Sequence, residues 1–174
     1  AIGRVSSVTD AASNVTSYTY ESATGRLAST TNALGKVSYQ SYNTRGQATR
    51  SWGETTYPVE YGFDDYGQQT TLSTFRGGTG WTGSTWPGSP GTADTTTWAY
   101  DNATGLLTSK TDAASHAVSY TYNARGQLAT RTWGRGTVST YSYDSGTAEQ
   151  TGISYSDSTP GITYTYNRLG QSAT

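Results

Sequence analysis

A Tyr-x-Tyr step, an acidic or amide residue, a short gap and a turn glycine come round about every 21 residues. Tyr18-Thr19-Tyr20-Glu21 leads to Gly25, Tyr120-Thr121-Tyr122-Asn123 to Gly126, and Tyr164-Thr165-Tyr166-Asn167 to Gly170. Tyr61-Gly62-Phe63-Asp64 before Gly67 and Trp98-Ala99-Tyr100-Asp101 before Gly105 are variants. A fixed period of this length belongs to repeat architectures, in which each unit buries its apolar face only by stacking on its neighbours. It argues against a catalytic domain, whose reactive residues occur once.

Residues 26–46 show what one unit is. Arg26 to Thr31 reads as a strand, Asn32-Ala33-Leu34-Gly35 as a turn, Lys36 to Tyr42 as a second strand, and Asn43-Thr44-Arg45-Gly46 closes it. Thr, Val and Tyr favour the pleated strand, and Asn, Asp and Gly punctuate it. Each unit is a β-hairpin. Alternation with period 2 puts Tyr18 with Tyr20, and Val118 with Tyr120 and Tyr122, on one face. The aromatics expected to form this structural ladder are Tyr18, Tyr20, Tyr42, Tyr61, Phe63, Trp98, Tyr100, Tyr120, Tyr122, Tyr141, Tyr143, Tyr164 and Tyr166. Cross-strand stacking of such residues stabilises a sheet.

A longer period overlies the first. Residues 16–53 align with 96–134; Thr49-Arg50-Ser51-Trp52-Gly53 matches Thr130-Arg131-Thr132-Trp133-Gly134. Duplication of a block of about four hairpins accounts for it. Residues 74–95 break the pattern: they are rich in Gly and Pro and carry Trp81 and Trp86. They read as a degenerate repeat with a long loop inside a single array spanning 1–174. The count comes to roughly 14–16 short strands, and an open sheet of that size rarely stays flat. The expected fold class is all-β: antiparallel hairpins forming a curled or spiralling sheet, without helices of note.

Composition removes several functions. The net charge is -1, with 11 basic and 12 acidic residues, so the basic stripe that nucleic-acid binding needs is missing. No apolar run approaches the roughly 20 residues of a helical membrane span. With no cysteine there is no disulfide framework, thiolate zinc site or thiol catalysis. The chain has no Met, and its last repeat stops just past Gly170, which leads to the expectation of a piece of a longer array. Low charge, abundant Thr, Ser and Gly, and tyrosine in place of leucine fit an extracellular β-rich protein.

These motifs resemble the RHS or YD-repeat family. Its repeat runs approximately Tyr-x-Tyr-Asp-x-x-Gly-Arg-Leu, then a Thr-Asp-x-x-Gly turn. Tyr18-Thr19-Tyr20-Glu21-Ser22-Ala23-Thr24-Gly25-Arg26-Leu27 matches with one extra residue before the glycine, and Trp98 to Leu107 matches similarly. Thr31-Asn32-Ala33-Leu34-Gly35 and Thr111-Asp112-Ala113-Ala114-Ser115 fill the intervening turn. The resemblance implies a long β-strip wound into a hollow shell, found in bacterial polymorphic toxins, insecticidal toxin complexes, wall-associated proteins and teneurins. In the toxin branch it implies a wall around a toxic C-terminal domain and a self-cleaving core with Asp-Pro motifs. No Asp-Pro dipeptide occurs here.

Other candidate residues have plainer readings. Trp81 and Trp86, in a Gly-rich loop, are the candidates for glycan contact, against the alternative of packing over a sheet edge. His116 is the single histidine and sits in a turn slot; Ser115 beside it makes no triad. Asp64, Asp65, Asp101, Asp112 and Asp144 lie at turns, where Asp caps its own backbone, and lack the close spacing of a calcium loop. Arg45, Arg125 and Arg168 suit ion pairing or stacking on tyrosines. The sequons at Asn14 and Asn102 matter only in a eukaryotic secretory pathway. No catalytic, metal or cofactor residue is assigned, and no enzyme is expected. The expected role is a structural shell segment of a large secreted or surface protein, bacterial by its resemblance. Its partners would be neighbouring repeats and an enclosed effector. A carbohydrate-binding or adhesion module is the alternative, and a four-bladed β-propeller the architectural rival.

Overall fold

The hairpin period is realised strand for strand. The computed structural model describes residues 3–173 and is all-β. Among the described residues fourteen strands form one antiparallel sheet in strict chain order, and two more pair with each other. The sheet's end strands pair only inward, so it is not closed into a barrel. Two compact units divide the chain, residues 1–96 and 97–174.

The first unit holds β1 (Ser7–Thr9), β2 (Val15–Tyr20), β3 (Leu27–Thr31), β4 (Val37–Tyr42), β5 (Ala48–Gly53), β6 (Val59–Phe63) and β7 (Gln69–Gly77). It also takes the start of β8 (Gly91–Tyr100). The second unit holds the rest of β8, then β9 (Leu107–Thr111), β10 (Ala117–Tyr122), β11 (Leu128–Thr132), β12 (Val138–Tyr143) and β13 (Gln150–Tyr155). The short β14 (Ile162–Thr163), β15 (Thr165–Tyr166) and β16 (Ser172–Ala173) follow.

The turns follow from their side chains. Asn32, Asn43, Asp64, Asp112, Asn123 and Asn167 each accept, through Oδ1, the backbone N–H groups two and four residues on, at 2.8–3.1 Å. The fourth residue of such a turn sits in the left-handed region, which glycine enters without a Cβ penalty. Gly46 does so at φ 88°. Ser13 and Ser115 occupy the equivalent slot at φ 65° and 66°, and Ala148 takes φ 65° as the fifth residue of the longer turn from Asp144.

A β-bulge recurs at one register position. The pairing shifts between Thr19 and Tyr20, Ser41 and Tyr42, Gly62 and Phe63, Ala99 and Tyr100, Thr121 and Tyr122, and Ser142 and Tyr143. Each shift falls just before the second aromatic of the step. A bulge re-aims the side chain beside it, and here it does so at the residue that reaches the preceding hairpin.

The two faces differ. In β10 the burial alternates strictly, with Val118, Tyr120 and Tyr122 half-buried and Ala117, Ser119 and Thr121 exposed. In β4 all six residues are half-buried; on the reverse face Tyr39 stacks on Trp52, to which the 78–90 segment of the same unit is fastened. Hydroxyl pairs bridge that reverse face elsewhere: Thr19 with Ser29 at 2.7 Å, Ser41 with Thr49 at 3.1 Å and Thr121 with Thr130 at 2.6 Å.

The register separates two tryptophans that the sequence aligns. Arg50 faces Ser41 and Thr130 faces Thr121, so Arg50 corresponds to Thr130 and Trp52 to Thr132. Trp52 pairs with Tyr39 on the reverse face. Trp133 opens the next turn, its N–H donating to the Thr137 carbonyl, and lies over Arg131 on the tyrosine face. A slip of one residue exchanges faces in a strand, and one residue more precedes the strand core in β11 than in β5.

Candidate functional site

The tyrosine face is built by two kinds of inter-repeat bond. In four of the steps the second tyrosine donates its hydroxyl to a backbone carbonyl earlier in the chain, on the preceding repeat. Tyr20 bonds Val5 at 2.7 Å, Tyr122 bonds Leu107 at 2.9 Å, Tyr143 bonds Leu128 at 2.9 Å and Tyr166 bonds Gln150 at 2.8 Å. The reach is 15 residues back in the first three and 16 in the last. Tyr42 instead donates to Gln40 Oε1 at 2.6 Å, and Gln40 stands where other steps carry their first tyrosine. Phe63 holds the same register position without a hydroxyl. Among the described residues no such bond ties the hydroxyls of Tyr18, Tyr61, Tyr120 or Tyr141. Burial pushes the Tyr122 and Tyr143 hydroxyls up, and the neighbouring Tyr120 and Tyr141 add to it. Tyr42 is raised too, by burial and then Glu21, against Arg26.

The ladder rings carry cations. Arg4 lies 5.4 Å from the Tyr20 ring centre, Arg26 5.7 Å from Tyr42, Lys110 5.3 Å from Trp98 and Arg131 5.9 Å from Tyr120. Such contacts contribute ~0.5–1 kcal/mol each where exposed. Tyr164 is half-buried between β14 and β15, its N–H bonded to the Thr151 carbonyl at 2.9 Å.

The second kind of bond runs forward, from the residue after a turn to the next turn. Arg26 donates to the Asn43 carbonyl at 3.0 Å, Gln47 to Gly67 at 2.7 Å and Gln127 to Ala148 at 2.8 Å. Arg125 adds a bond to the Ser145 carbonyl at 2.7 Å. A Cβ on Gly46 would come 2.8 Å from the Arg26 guanidinium, a flexible side-chain end that could shift aside, so the glycine is needed chiefly for its φ. The sequence reading missed these residues, although Gly46-Gln47 and Gly126-Gln127 recur visibly.

Trp81 and Trp86 come together, 5.1 Å apart and edge-to-face. Trp86 also packs edge-on against Trp52 at 5.5 Å and Phe75 at 5.4 Å, while Trp81 meets Phe75 at 5.6 Å. The Arg50 guanidinium sits 4.8 Å over the Trp86 ring and also pairs with Glu60 at 2.6 Å. Trp52 and Phe75 are 5% and 6% exposed, the buried apolar core of the described residues. Trp52 Nε1 donates to the Gly83 carbonyl at 2.9 Å, which fastens the loop. These rings spend their faces on one another.

The turn aspartates are occupied by backbone. Asp101 accepts from the N–H and hydroxyl of Thr104, and Asp144 from the N–H groups of Thr147 and Gly146. The Thr104 hydroxyl bond holds Asp101, the Thr147 N–H bond holds Asp144, and the His116 N–H bond holds Asp112 below the usual carboxylate range. His116 Nδ1 lies 3.2 Å from Asp112 Oδ2. Arg45 is partnered through its own turn, its N–H bonded to Asn43 Oδ1 at 3.0 Å.

The sequence profile of the RHS Repeat family matches residues 1–37 and 100–137. Those two stretches carry RHS repeats. Among solved structures, this RHS-repeat chain is similar to TcdB2-TccC3 without its hypervariable C-terminal region: TM-score 0.55, 19% identity, over 98% of this chain and 11% of that one. Complete TcdB2-TccC3 gives a TM-score of 0.40 at 16% identity, over 98% of this chain and 12% of that one. The Tc holotoxin pore of Photorhabdus luminescens gives 0.40 at 16%, over 98% and 11%. The first of these likenesses is one of fold. The RHS-repeat chain therefore spans about a tenth of the length of the structures it resembles. No curated protein sequence matches it.

Proposed function

We propose that this chain is wall: a segment of the β-shell of a larger exported bacterial RHS-repeat protein, enclosing an effector domain. The observation that carries the reading is the pair of inter-repeat bonds. Tyrosine hydroxyls tie hairpins backward, Arg and Gln side chains tie them forward, and the strands pair in chain order. Such a strip extends by adding hairpins, and many of its polar side chains hold the strip together. The RHS-repeat match and the fold shared with a short stretch of TcdB2-TccC3 support a shell segment.

The test uses the parent protein. Its coding sequence on both sides of this segment should add further repeats and then an unrelated compact domain. That domain should resist protease in the intact parent and be cleaved when expressed alone. Flanks without repeats, or equal cleavage in both contexts, would overturn the proposal.

A further inference from the structure

One cleft departs from the repeat background. In the second unit, Lys110 on β9, Tyr120 on β10 and Arg131 on β11 surround a cleft of about 310 Å³ on the tyrosine face, with Asp112 and His116 at its turn end. The register makes this a local cluster: Lys110 pairs with Val118, and Tyr120 with Arg131. Neither cation has a carboxylate partner among the described residues. The Arg131 guanidinium is pressed 3.5 Å against Trp133, and its Nε is buried without any hydrogen-bond partner. Buried polar groups are ordinarily satisfied, so an orphaned one at a cleft calls for an explanation. The corresponding positions of the first unit are Thr30 for Lys110, Lys36 for His116, Gln40 for Tyr120 and Ser51 for Arg131. The cluster therefore occurs in one block only, which packing shared by all hairpins does not require.

We propose that this cleft binds a hydroxylated carboxylate, such as a uronic acid residue of an acidic glycan. Lys110 and Arg131 supply the cations for the carboxylate; an arginine fork recognises it in its plane. Asp112, an acceptor of hydroxyl protons, and Tyr120, both donor and acceptor, suit a ligand that also carries hydroxyls. A bare anion would gain nothing from Asp112 and would be repelled by it. The Trp81–Trp86 cluster, with its ring faces engaged, is not needed for this binding.

The experiment is titration of the whole chain with an oligogalacturonate at low salt, followed by tryptophan fluorescence, because Trp98 and Trp133 contact the two cations. Saturable binding is expected, weakened about tenfold by Lys110→Gln, which removes one charge-assisted contact. Arg131→Gln should abolish it. Lys110 is exposed, so its substitution leaves the fold intact even where Arg131→Gln does not. The neutral galactose oligomer should not bind. Absence of saturation, indifference to Lys110→Gln, or equal binding of succinate, an acidic peptide or the neutral oligomer would overturn the proposal.

Discussion

Replacing Tyr122 with Phe removes one oxygen and leaves the ring. The Tyr122 hydroxyl donates to the Leu107 carbonyl at 2.9 Å, and the ring is half-buried. Apolar burial is unchanged by the substitution, so the cost is the hydrogen bond alone. A net intramolecular bond contributes ~0.5–1.5 kcal/mol. With a urea slope of ~2 kcal/mol/M, the midpoint should fall by about 0.5 M. Tyr20→Phe and Tyr143→Phe should each do the same, since their bonds have the same form. The sites share no partners, so the three losses should add to about 3 kcal/mol. The control is Tyr120→Phe, one strand step away, whose hydroxyl has no such bond; it should shift the midpoint by less than about 0.2 M. Urea denaturation followed by tryptophan fluorescence reads all five variants, the triple included. Equal losses at Tyr120 and Tyr122, or no loss at either, would refute the idea that the second hydroxyl of each step is the bond between hairpins.

Ala148→Gly should stabilise by about 0.5–1 kcal/mol, because Ala148 holds φ 65° and a Cβ is disfavoured there; thermal unfolding should rise by ~1–4 °C. Trp52→Ala should cost about 3–5 kcal/mol, the range for a large buried aromatic, and a denaturation curve should show it together with release of the 78–90 loop to protease. Stability should fall at both extremes of pH. The raised hydroxyls of Tyr42, Tyr122 and Tyr143 favour the protonated fold, so their contribution is full below about pH 10 and lost as pH climbs through their folded values. The lowered carboxyls of Asp101, Asp112 and Asp144 contribute above about pH 4 and lose that contribution as pH falls through their folded values. Midpoints of urea unfolding measured from pH 2 to 11 would show a plateau with two falling limbs; a flat profile would contradict both assignments.

The hairpins were legible because local chemistry and fold agree. Strand residues, Asx turns and left-handed glycines recur together, and the strands expected at 26–31 and 36–42 form as Leu27–Thr31 and Val37–Tyr42. The family was legible for the same reason. Register was less so. The matching Arg-x-Trp-Gly strings around Trp52 and Trp133 hide a one-residue displacement, and only pairing with the neighbouring strand reveals which face each ring takes. The tyrosine face was visible as periodicity, but the difference between first and second tyrosine was not. It depends on a bulge and on a carbonyl 15 residues away. The cation cluster around Arg131 escaped because its members lie on three strands and recur in no other block.

The backward reach of the tyrosine acts as a ruler. It is set from one hairpin to the one before and takes no account of how many hairpins there are. A chain built on such a rule can grow or shrink by whole units without redesign, whereas length gained between Leu107 and Tyr122 would spoil the measure once it exceeded the single extra residue that the Gln150–Tyr166 span already takes. Extra length is accommodated between Phe63 and Tyr100, where 37 residues separate successive steps and the surplus forms a tryptophan-fastened loop. Variation in this protein's lineage should therefore come in two sizes: entire copies along the strip, and free-length changes within residues 78–90.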